Sequence, residues 1–499
     1  MLAVTHHIIS MLESPVLNYQ LNYDFASLAR RGASVALAHI VMALAPDKYC
    51  HSSGSVEMQT NLLRVLKRSC NVKLARSQRR ARHQSDVSLA SAARTGRSEE
   101  LVLGIETSCD DTGVAVVSTT GRVLSDALVS QADVHAAFGG VVPMLAMEAH
   151  KAAMDSCVRD ALEQAGIEAQ DLHAVAVSIG PGLSPCLQVG VRKAHQLAQQ
   201  FDLRLVPVHH MEAHALVART ATDVQFPFLC MLVSGGHNML LIAHQVGNYT
   251  LLGSTLDDSV GEAFDKVARL LGLELCPSGG AALEAFAKQG DPHRFKFTVP
   301  LQRHNDCNFS YAGLKNSVRL AIEAEAPGPA TDANLQTRAD LAACFQRSAI
   351  THLTQRCQRA VAWAKESHPQ VQTMVVAGGV ACNQMLRDSL EEVTQEADWQ
   401  LVCPKPSLCT DNGVMVAWAG VERLRLGLWE NPKDSAEGEL DVRPRWPLTD
   451  RRDSRSMPAT KSMRKSRIFT SLTELTAEAL SNHPITAPAP AISTVPATS

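Results

Sequence analysis

Short apolar runs separated by longer amphipathic stretches make up the middle of the chain. Leu101–Ile105 and Val114–Ser118 flank a polar segment that is closed by a glycine, a pattern that predicts a β-hairpin. Three further apolar runs predict buried strands, and helical stretches follow two of them. The strand runs are Ala174–Ile179, Phe228–Val233 and Thr373–Ala377, and the helical stretches are Leu187–Gln199 and Gln384–Val393. Strands alternating with helices predict an α/β fold.

Glycines fall just after the ends of predicted strands at four places, for example in Gly180-Pro181-Gly182 and Ser234-Gly235-Gly236. A glycine there lets backbone N–H groups approach a phosphate closely. A single such loop is also what a tight turn requires. Four of them, with an acid-rich hairpin turn after the first strand, resemble the nucleotide-binding plan of the actin, Hsp70 and sugar-kinase superfamily.

Two histidines four residues apart follow the apolar run that ends near Val208. On a helix, His210 and His214 lie on one face with their Cβ atoms about 5–6 Å apart, which suits two ligands of one metal ion. Solvated or packed histidines are the alternative interpretation. A metalloprotease of the His-Glu-x-x-His type is disfavoured, because Met211 stands where that motif has its glutamate.

Composition limits the remaining classes. The 499 residues leave room for two or three domains. The 13 cysteines are scattered without a C-x-x-C pair, which favours a reducing compartment over disulfides. No run reaches the ~18–20 apolar residues of a membrane span, so we expect no membrane insertion. A net charge of −3 identifies no partner, and an aromatic content of 4% disfavours a surface built for base stacking.

The two ends differ from the middle. Residues 58–97 are rich in arginine and serine and contain few acids, which predicts a mitochondrial transit peptide; a basic arm that binds RNA is the alternative. Residues 1–57 look different and are interpreted as an uncertain extension. Residues 448–499 are rich in Ser, Thr, Pro, Ala and basic residues and predict a disordered tail.

Nine segments, in this order, resemble the motifs of the TsaD/Kae1/Qri7 family, and the ending Arg443–Pro447 resembles its bacterial and mitochondrial members. The segments are Gly104–Gly113, Gly139–Pro143, Gly180–Leu183, His209–His214, Leu232–His237, Gly261–Lys266, Phe309–Lys315, Ala377–Asn383 and Cys409–Gly413. The resemblance covers about residues 101–447. The basic leader favours the mitochondrial, Qri7/OSGEPL1-like branch.

This resemblance implies a two-lobed, actin-like ATPase (ASKHA) fold with duplicated ribonuclease H-like lobes. The first lobe would span residues 101–224 and be completed by 413–447, and the second would span 225–412. The implied activity is transfer of the threonylcarbamoyl group from threonylcarbamoyl-AMP to N6 of adenosine 37 in tRNAs that read ANN codons, forming t6A in mitochondria. The mitochondrial branch also implies a homodimer.

The resemblance further implies the site residues. His210, His214 and Asp411 would bind one divalent metal ion per subunit, and such a ligand set suits Fe or Zn. Substrate would be bound by Leu232, Val233, Ser234, Gly235, Gly236, Asp265, Gly280 and Asn383. Asp265 has an alternative as a surface pair with Arg269. Gly280 lies in Cys276-Pro-Ser-Gly-Gly280, where the family usually has Tyr-Pro-Gly-Gly.

Proton transfer and tRNA binding are less determined. Asp111, in the first hairpin, is a candidate for ordering the loop or the nucleophile, and no general base is assigned. The tRNA would be held largely by charge, with candidates Arg294, Lys296, Arg303, Lys315 and Arg319. A small-molecule kinase of the same fold is the main alternative function, and such a kinase would not need the two histidines and Asp411.

Overall fold

The structure is a computed structural model that describes residues 99–135, 138, 140–275, 278–433, 441–456 and 470–482. The segments 1–57 and 58–97, interpreted above as an extension and a transit peptide, lie outside the described residues.

Two five-stranded sheets have the same topology. In each sheet the first three strands form an antiparallel meander, and two further strands add in parallel on the other side of the first strand. The spatial orders are β3-β2-β1-β4-β5 and β8-β7-β6-β9-β10. The strands are β1 Leu101–Glu106, β2 Asp111–Ser118, β3 Val123–Ser130, β4 Ala174–Gly180, β5 Arg204–His209, β6 Phe228–Val233, β7 Asn238–Gln245, β8 Asn248–Ser254, β9 Thr373–Ala377 and β10 Gln400–Val402. This repetition confirms the duplicated, actin-like α/β fold.

Helices connect and cover the sheets. They are α1 Ala132–His135, α2 Pro143–Ala165, α3 Ser184–Phe201, α4 His210–Leu216, α5 Val260–Leu270, α6 Gly279–Ala287, α7 Ala312–Glu325, α8 Leu335–Ser367, α9 Gln384–Ala397, α10 Pro406–Cys409, α11 Gly413–Arg425 and α12 Leu472–Asn482. Among these described helices, none combines the length and apolar character that crossing a lipid bilayer demands.

Local sequence explains most of these boundaries. The predicted hairpin is confirmed: Leu101 pairs with Ser118 and Ile105 with Val114, and both strands are almost fully buried. Helix α5 begins where the Ser259 side chain accepts a hydrogen bond from the Glu262 N–H, a typical N-cap. The apolar runs of strand length thus form the central strands of the two sheets, β1 and β6.

Helix α11 packs on the first sheet although it lies far along the chain. Its contact is close because glycines face it: a Cβ on Gly104 would lie 2.3 Å from the Ala417 nitrogen, and one on Gly113 would lie 2.7 Å from the Gly413 nitrogen. Side chains at these positions would push the helix away. This packing brings the loop that precedes α11, and with it Asp411, against the ends of β1 and β2.

The expectation of a disordered tail from Leu448 onward is wrong for two stretches. Leu448 and Leu472 are buried, and the Tyr249 N–H donates to the Thr473 hydroxyl at 3.2 Å. The Leu251 N–H donates to the Arg451 carbonyl at 2.9 Å. Residues 448–456 and helix α12 thus pack beside β8, the edge strand of the second sheet. The Ser- and Thr-rich composition of this stretch masks its few apolar residues in a sequence-based prediction. These few residues are enough to hold the stretch on the sheet, because an edge strand also offers unpaired backbone groups for hydrogen bonds.

Candidate metal and nucleotide site

The histidine pair lies on a helix that begins directly after strand β5. The rings of His210 and His214 are 4.8 Å apart between centroids and nearly perpendicular, so both face one side of α4. His209 points elsewhere: its Nδ1 accepts from the Met211 N–H as the helix N-cap, and its Nε2 lies 3.0 Å from the Trp446 carbonyl oxygen. The predicted helical spacing is confirmed, and it separates two convergent histidines from a third that supports the helix end.

Asp411 joins this pair from almost 200 residues away. Its Oδ1 lies 3.0 Å from His214 Nε2 and 3.6 Å from His210 Nε2. Within the described part of the chain, these three residues form the one group of three or more potential ligands close enough to share a metal ion, with ligand atoms within 4.8 Å of one another. We name His210, His214 and Asp411 the histidine cluster. The Nε2 atoms of both histidines therefore point at the same oxygen of Asp411. The Asp411 side chain is partly exposed, whereas the two histidines are buried.

Glu106 is the residue that sequence reasoning missed. It ends strand β1, is fully buried, and its Oε2 lies 3.1 Å from His210 Nδ1. The same carboxylate accepts from the Ser178 hydroxyl and from the Ser108 N–H. An acid that ends an otherwise apolar buried strand was the available signal, because a buried carboxylate requires a partner. Glu106 orients the His210 ring so that Nε2 faces Asp411.

Charge in this cluster favours a cation. Burial opposes ionisation of His210, but the carboxylates of Glu106 and Asp411 outweigh it and raise the pKa of His210 to about 9. Burial likewise opposes ionisation of Asp411, yet the two histidines hold the pKa of Asp411 well below its usual value. The cluster therefore stabilises positive charge between the imidazoles and the carboxylates, whether that charge is a proton or a metal ion.

The turn between β1 and β2 adds a second, half-buried acid, Asp111. Burial is the main reason why the pKa of Asp111 rises to about 6, and the neighbouring carboxylates of Asp110 and Asp411 add to the effect. Its Oδ1 is buried without a hydrogen-bond partner. We name this segment, residues 107–110 with the flanking Glu106 and Asp111, the acidic turn. Glu106, at one end of this turn, contacts His210, and the charge of Asp411 acts on Asp111 at the other end.

The turn between β6 and β7 occupies the same place in the second sheet. Leu232 and Val233 end the buried strand, the Ser234 N–H donates to the His237 carbonyl, and Gly235 and Gly236 are exposed. A Cβ added to either glycine would find no atom within 4 Å. We name residues 234–237 the glycine turn. It offers unobstructed backbone to a ligand.

His237 ties the glycine turn to the histidine cluster. Burial is the main reason why the pKa of His237 falls to about 4, and the charges of His210 and His214 contribute to that value. These interactions require the ring of His237 to lie near the two metal-ligand candidates. Helix α4 also contacts β6 and β9 of the second sheet. The three predicted metal ligands and the predicted loop Leu232–Gly236 thus come together at the junction of the two sheets.

Asp265 and Gly280 are placed in direct contact. Asp265 Oδ1 accepts from the Gly280 N–H at 3.1 Å, and a Cβ on Gly279 would lie 2.5 Å from the same oxygen. Burial raises the pKa of Asp265, and Arg269 opposes the rise by its charge. The structure thus shows Asp265 at the first turn of helix α6, a contact that the sequence did not predict. Its role in substrate binding stays a prediction.

Both polar atoms of the Asn383 side chain already have hydrogen-bond partners. Its side-chain oxygen accepts from the Leu386 N–H at 3.1 Å and caps helix α9, while its nitrogen donates to Gln346 at 3.1 Å. The residue is buried. The structure therefore gives Asn383 a clear structural role, and its contact with substrate stays a prediction.

Glu212 has no freedom to act as the base of a peptidase. Its Oε1 accepts from the Gly247 N–H and the Tyr249 hydroxyl, and its Oε2 pairs with Arg423 at 3.2 Å. The residue is fully buried on the side of α4 that faces these partners. Glu212 therefore anchors helix α4, which agrees with the sequence argument against a metalloprotease.

Comparison with known proteins decides the family. The family model "TsaD: tRNA N6-adenosine threonylcarbamoyltransferase" matches residues 122–418, more than half of the chain. The chain belongs to this family. The predicted membership and the acyltransferase class are thereby confirmed.

Individual relatives place the chain in the mitochondrial branch. It is 52% identical over 385 residues to a probable mitochondrial tRNA N6-adenosine threonylcarbamoyltransferase of Arabidopsis thaliana, covering 75% of this chain and 80% of the relative. It is 43% identical over 338 residues to the mitochondrial enzyme of Xenopus tropicalis, covering 66% and 84%. The enzyme of Rhodospirillum rubrum is 45% identical over 352 residues, covering 70% and 94%. These similarities confirm the predicted mitochondrial location.

Solved structures show weaker likeness. The chain is similar to T. kodakarensis HypF with a TM-score of 0.46 and 16% identity, over 66% of this chain and 48% of that one. A ROK family glucokinase from Streptomyces griseus gives a TM-score of 0.31 at 14% identity, over 65% and 98%. Likeness at this level carries no argument about function, and the fold rests on the sheet topology above.

Proposed function

We propose that the histidine cluster and the glycine turn form the threonylcarbamoyl-transfer site of this family member. The donor is threonylcarbamoyl-AMP, and the acceptor is N6 of adenosine 37 in tRNAs that read ANN codons, so that t6A and AMP are the products. The observation that carries the proposal is the convergence of His210, His214 and Asp411 beside the exposed glycine turn. The site joins a cation-binding cluster to a loop suited to a phosphate.

The donor set fits one divalent metal ion. His210 Nδ1 is held by Glu106, so its Nε2 is left for a metal, and a carboxylate behind a ligating histidine is a common supporting contact. Asp411 supplies an oxygen to which the Nε2 atoms of both histidines already point. Two nitrogens and one oxygen suit Fe or Zn and leave positions open for substrate. When bound, the ion would supply Lewis acidity that polarises an acyl or phosphoryl oxygen.

The glycine turn would hold the anionic end of the donor. The backbone N–H groups of Gly235 and Gly236, both exposed residues, can approach a phosphate closely because no Cβ intervenes at the glycines. Asp265 and Gly280 would contact the nucleoside of the same donor molecule. Asn383 would bind on this nucleoside side and hold the adjoining start of helix α9 in place. These contacts orient the carbamoyl group toward the histidine cluster.

Proton transfer has one candidate in the acidic turn. Asp111 Oδ1 is buried without a partner, and burial raises the pKa of this carboxyl to about 6. A carboxylate with such a pKa can take a proton near neutral pH. We assign Asp111 the ordering of the turn and leave the general base open, because an exocyclic amine can lose its proton late in the reaction.

Binding of tRNA would be electrostatic. Of the candidate cations in the second lobe, Arg294 pairs with Asp340, Lys315 with Asp258 and Arg319 with Glu323. These ion pairs order the cations without removing them from the surface. With Lys296 and Arg303 they form the surface that we propose for the tRNA backbone.

A homodimer is the proposed assembly. Large apolar side chains are exposed around β3, α1 and the start of α2, among them Phe138 at 59% and Met144 at 60%. The others are Leu128, Val129, Val134 and Leu145. Large apolar side chains exposed close together along the chain are typical of a protein interface. We expect Phe138→Ser to convert the dimer to a monomer in light scattering, and a monomeric parent protein would contradict the proposal.

Residues 58–97 are proposed as the transit peptide that delivers the enzyme. Their composition carries this proposal, since they lie outside the described residues. N-terminal sequencing of the protein isolated from mitochondria tests it: a mature terminus near residue 98 is expected. Recovery of peptides from residues 1–57 in that protein would overturn both the cleavage and the interpretation of 1–57 as an extension.

Reconstitution tests the function itself. The purified protein, loaded with metal, is given threonylcarbamoyl-AMP and mitochondrial tRNA, and the nucleosides are analysed by mass spectrometry for t6A. Formation of t6A that depends on all three components is expected. A folded, metal-loaded protein that yields no t6A would overturn the assignment, and phosphorylation of a small molecule without metal at the cluster would favour the kinase alternative.

A further inference from the structure

Two cysteines meet where the loops of the second lobe approach the histidine cluster. Cys382 ends the short 3-10 helix Gly379–Cys382, and Cys409 ends helix α10. The two elements are packed together, since a Cβ on Gly379 would lie 3.8 Å from the Thr410 methyl carbon. Both thiols donate to carbonyls of the loop that carries Cys409: Cys382 Sγ lies 3.8 Å from the Pro406 oxygen, and Cys409 Sγ lies 3.5 Å from the Pro404 oxygen. The sequence motifs contain both cysteines, and the proposed transfer reaction uses neither.

Arg387 holds the two loops at this point. Its Nε donates to the Ala381 carbonyl at 2.5 Å, and its Nη2 donates to the Pro404 carbonyl at 3.2 Å. The same Nη2 lies 3.8 Å from the Cys409 sulfur. A guanidinium beside the pair stabilises a thiolate, and these hydrogen bonds tie the residue before Cys382 to the loop that carries Cys409.

Cys382 differs from the other described cysteines in its ionisation. The neighbouring thiol of Cys409 lowers the pKa of Cys382 to about 7; burial opposes this, and Arg387 assists it. The other described cysteines have raised pKa values, Cys109 and Cys403 chiefly through burial and Cys409 chiefly through its contact with Cys382. Cys382 is also half-buried rather than enclosed, so that a small reagent can reach it. It thus combines thiolate character with access, the two conditions for a reactive cysteine.

A metal site is not the role of these sulfurs. Among the described residues, the histidine cluster is the one group of three or more candidate ligands close enough to share an ion. Cys403, the nearest further cysteine in the chain, therefore does not complete a thiolate site with Cys382 and Cys409. The remaining chemistry of two adjacent thiols is oxidation.

We propose that Cys382 and Cys409 form a reversible disulfide when the protein meets hydrogen peroxide. The Cys382 thiolate attacks one peroxide oxygen, the O–O bond breaks, and Cys382 becomes a sulfenic acid while hydroxide leaves. The Cys409 sulfur then attacks the Cys382 sulfur, the S–O bond breaks, and water leaves with the Cys409 proton. Two thiols are oxidised by two electrons, and one peroxide is reduced to two waters.

The disulfide would act on the site through its neighbours. Asn383 follows Cys382 directly, and Asp411 lies two residues after Cys409. Drawing the sulfurs to a bond length of about 2.05 Å moves both loops, and with them a proposed metal ligand and the helix α9 cap. This consequence rests on the proposed function, whereas formation of the disulfide does not. We expect oxidation to lower the rate of t6A formation about tenfold, enough to exceed assay scatter, and a thiol reductant to restore it.

Mass spectrometry of the full-length protein tests the bond. Reduced protein is treated with hydrogen peroxide, and peptides are mapped with and without reduction. Loss of two hydrogens and a linked Cys382–Cys409 peptide pair are expected, in Cys403→Ser as in the parent. Cys382→Ser should yield no linked pair, and Cys409→Ser should trap Cys382 as a sulfenic acid. A Cys382–Cys403 link, or direct oxidation of Cys382 to sulfinic acid in the parent protein, would overturn the proposed pair.

Activity measurements separate the two proposals. In the reduced state the parent protein and Cys403→Ser serve as references, and each variant is compared with itself before and after peroxide. A disulfide that forms without changing the rate of t6A formation overturns the control of activity. A reduced protein that forms the disulfide but never makes t6A overturns the proposed function and leaves the disulfide supported by the mass data.

Discussion

The acidic turn and the glycine turn occupy equivalent places in two sheets of equal topology, yet their chemistry is opposite. The acidic turn is flanked by Glu106, which is fully buried against His210, and by Asp111, which is half-buried. The glycine turn has two exposed glycines with open space where a side chain would lie. The acidic turn therefore offers side-chain charge to a ligand, and the glycine turn offers backbone groups that no side chain covers.

This difference shows how one topology divides a task. A cation needs convergent, partly buried carboxylates and imidazoles, whose desolvation is offset by mutual attraction. A phosphate needs N–H groups that nothing obstructs. Duplication supplied two turns at the same junction, and the side chains made one suited to a metal and the other to an anion. The predictions below test this division, beginning with the largest expected effect.

Removing a metal ligand should be most damaging. In His214→Ala we expect the loss of bound metal and a fall of about a thousandfold in kcat/KM, since polarisation by a metal contributes several kcal/mol. Metal content by mass spectrometry and t6A formation measure the two effects. His293→Ala, at an exposed histidine outside the cluster, is the matched control. A His214→Ala protein that keeps one metal per chain would refute the ligand set.

Glu106→Gln tests whether the acidic turn supports the metal from behind. The amide keeps the shape of the side chain but loses the charge that orients His210, so metal affinity should fall about 10–100-fold. Competition with a chelator measures the affinity. Glu212→Gln, which alters a buried acid on the other side of α4, should instead lower thermal stability and spare the metal affinity. Equal affinity in the parent protein and Glu106→Gln would assign Glu106 a purely structural role.

Asp111→Asn tests the cost of buried charge in the acidic turn. Because the pKa of Asp111 is raised to about 6 in the folded chain, above about 3.9 when unfolded, the folded state binds more protons between these values. The free energy of unfolding therefore falls as pH rises through that window, and the loss is complete above pH 6. In metal-free protein, the amide should add about 3 kcal/mol at about pH 8 and little at about pH 4. A stability gain independent of pH, measured by urea unfolding, would contradict this origin.

Gly235→Ala tests the bare backbone of the glycine turn. The new methyl meets no protein atom, so unfolding should be unchanged, while it obstructs a ligand and weakens donor binding about tenfold, the size of one hydrogen bond. Gly378→Ala is the contrasting variant: with φ of +98° and a Cβ only 2.3 Å from the Val233 carbonyl oxygen, it should destabilise the fold. Donor affinity unaffected in Gly235→Ala would place the phosphate elsewhere.

The strands were predictable because their signal is local. The runs Phe228–Val233 and Thr373–Ala377 coincide with β6 and β9, since a fully buried strand must be apolar throughout and ends where the polar turn begins. Helix ends were less exact: α3 begins at Ser184 and α9 ends at Ala397, because capping and tertiary packing extend helices beyond their periodic part. The structured part of the tail escaped prediction because Leu448 and Leu472 find partners only on the edge of a distant sheet.

The sequence by itself determined the element types, the family and the identity of the metal-ligand candidates, because these depend on local pattern and on motif order. Only the tertiary structure decided that Glu106 supports His210, that Asp411 reaches His214 and that Cys409 meets Cys382. Those contacts join segments far apart in the chain, and close packing of α11 on Gly104 and Gly113 brings the loop with Asp411 to the site. Local pattern carries no information about such distances, whereas the packing of sheets and helices fixes them.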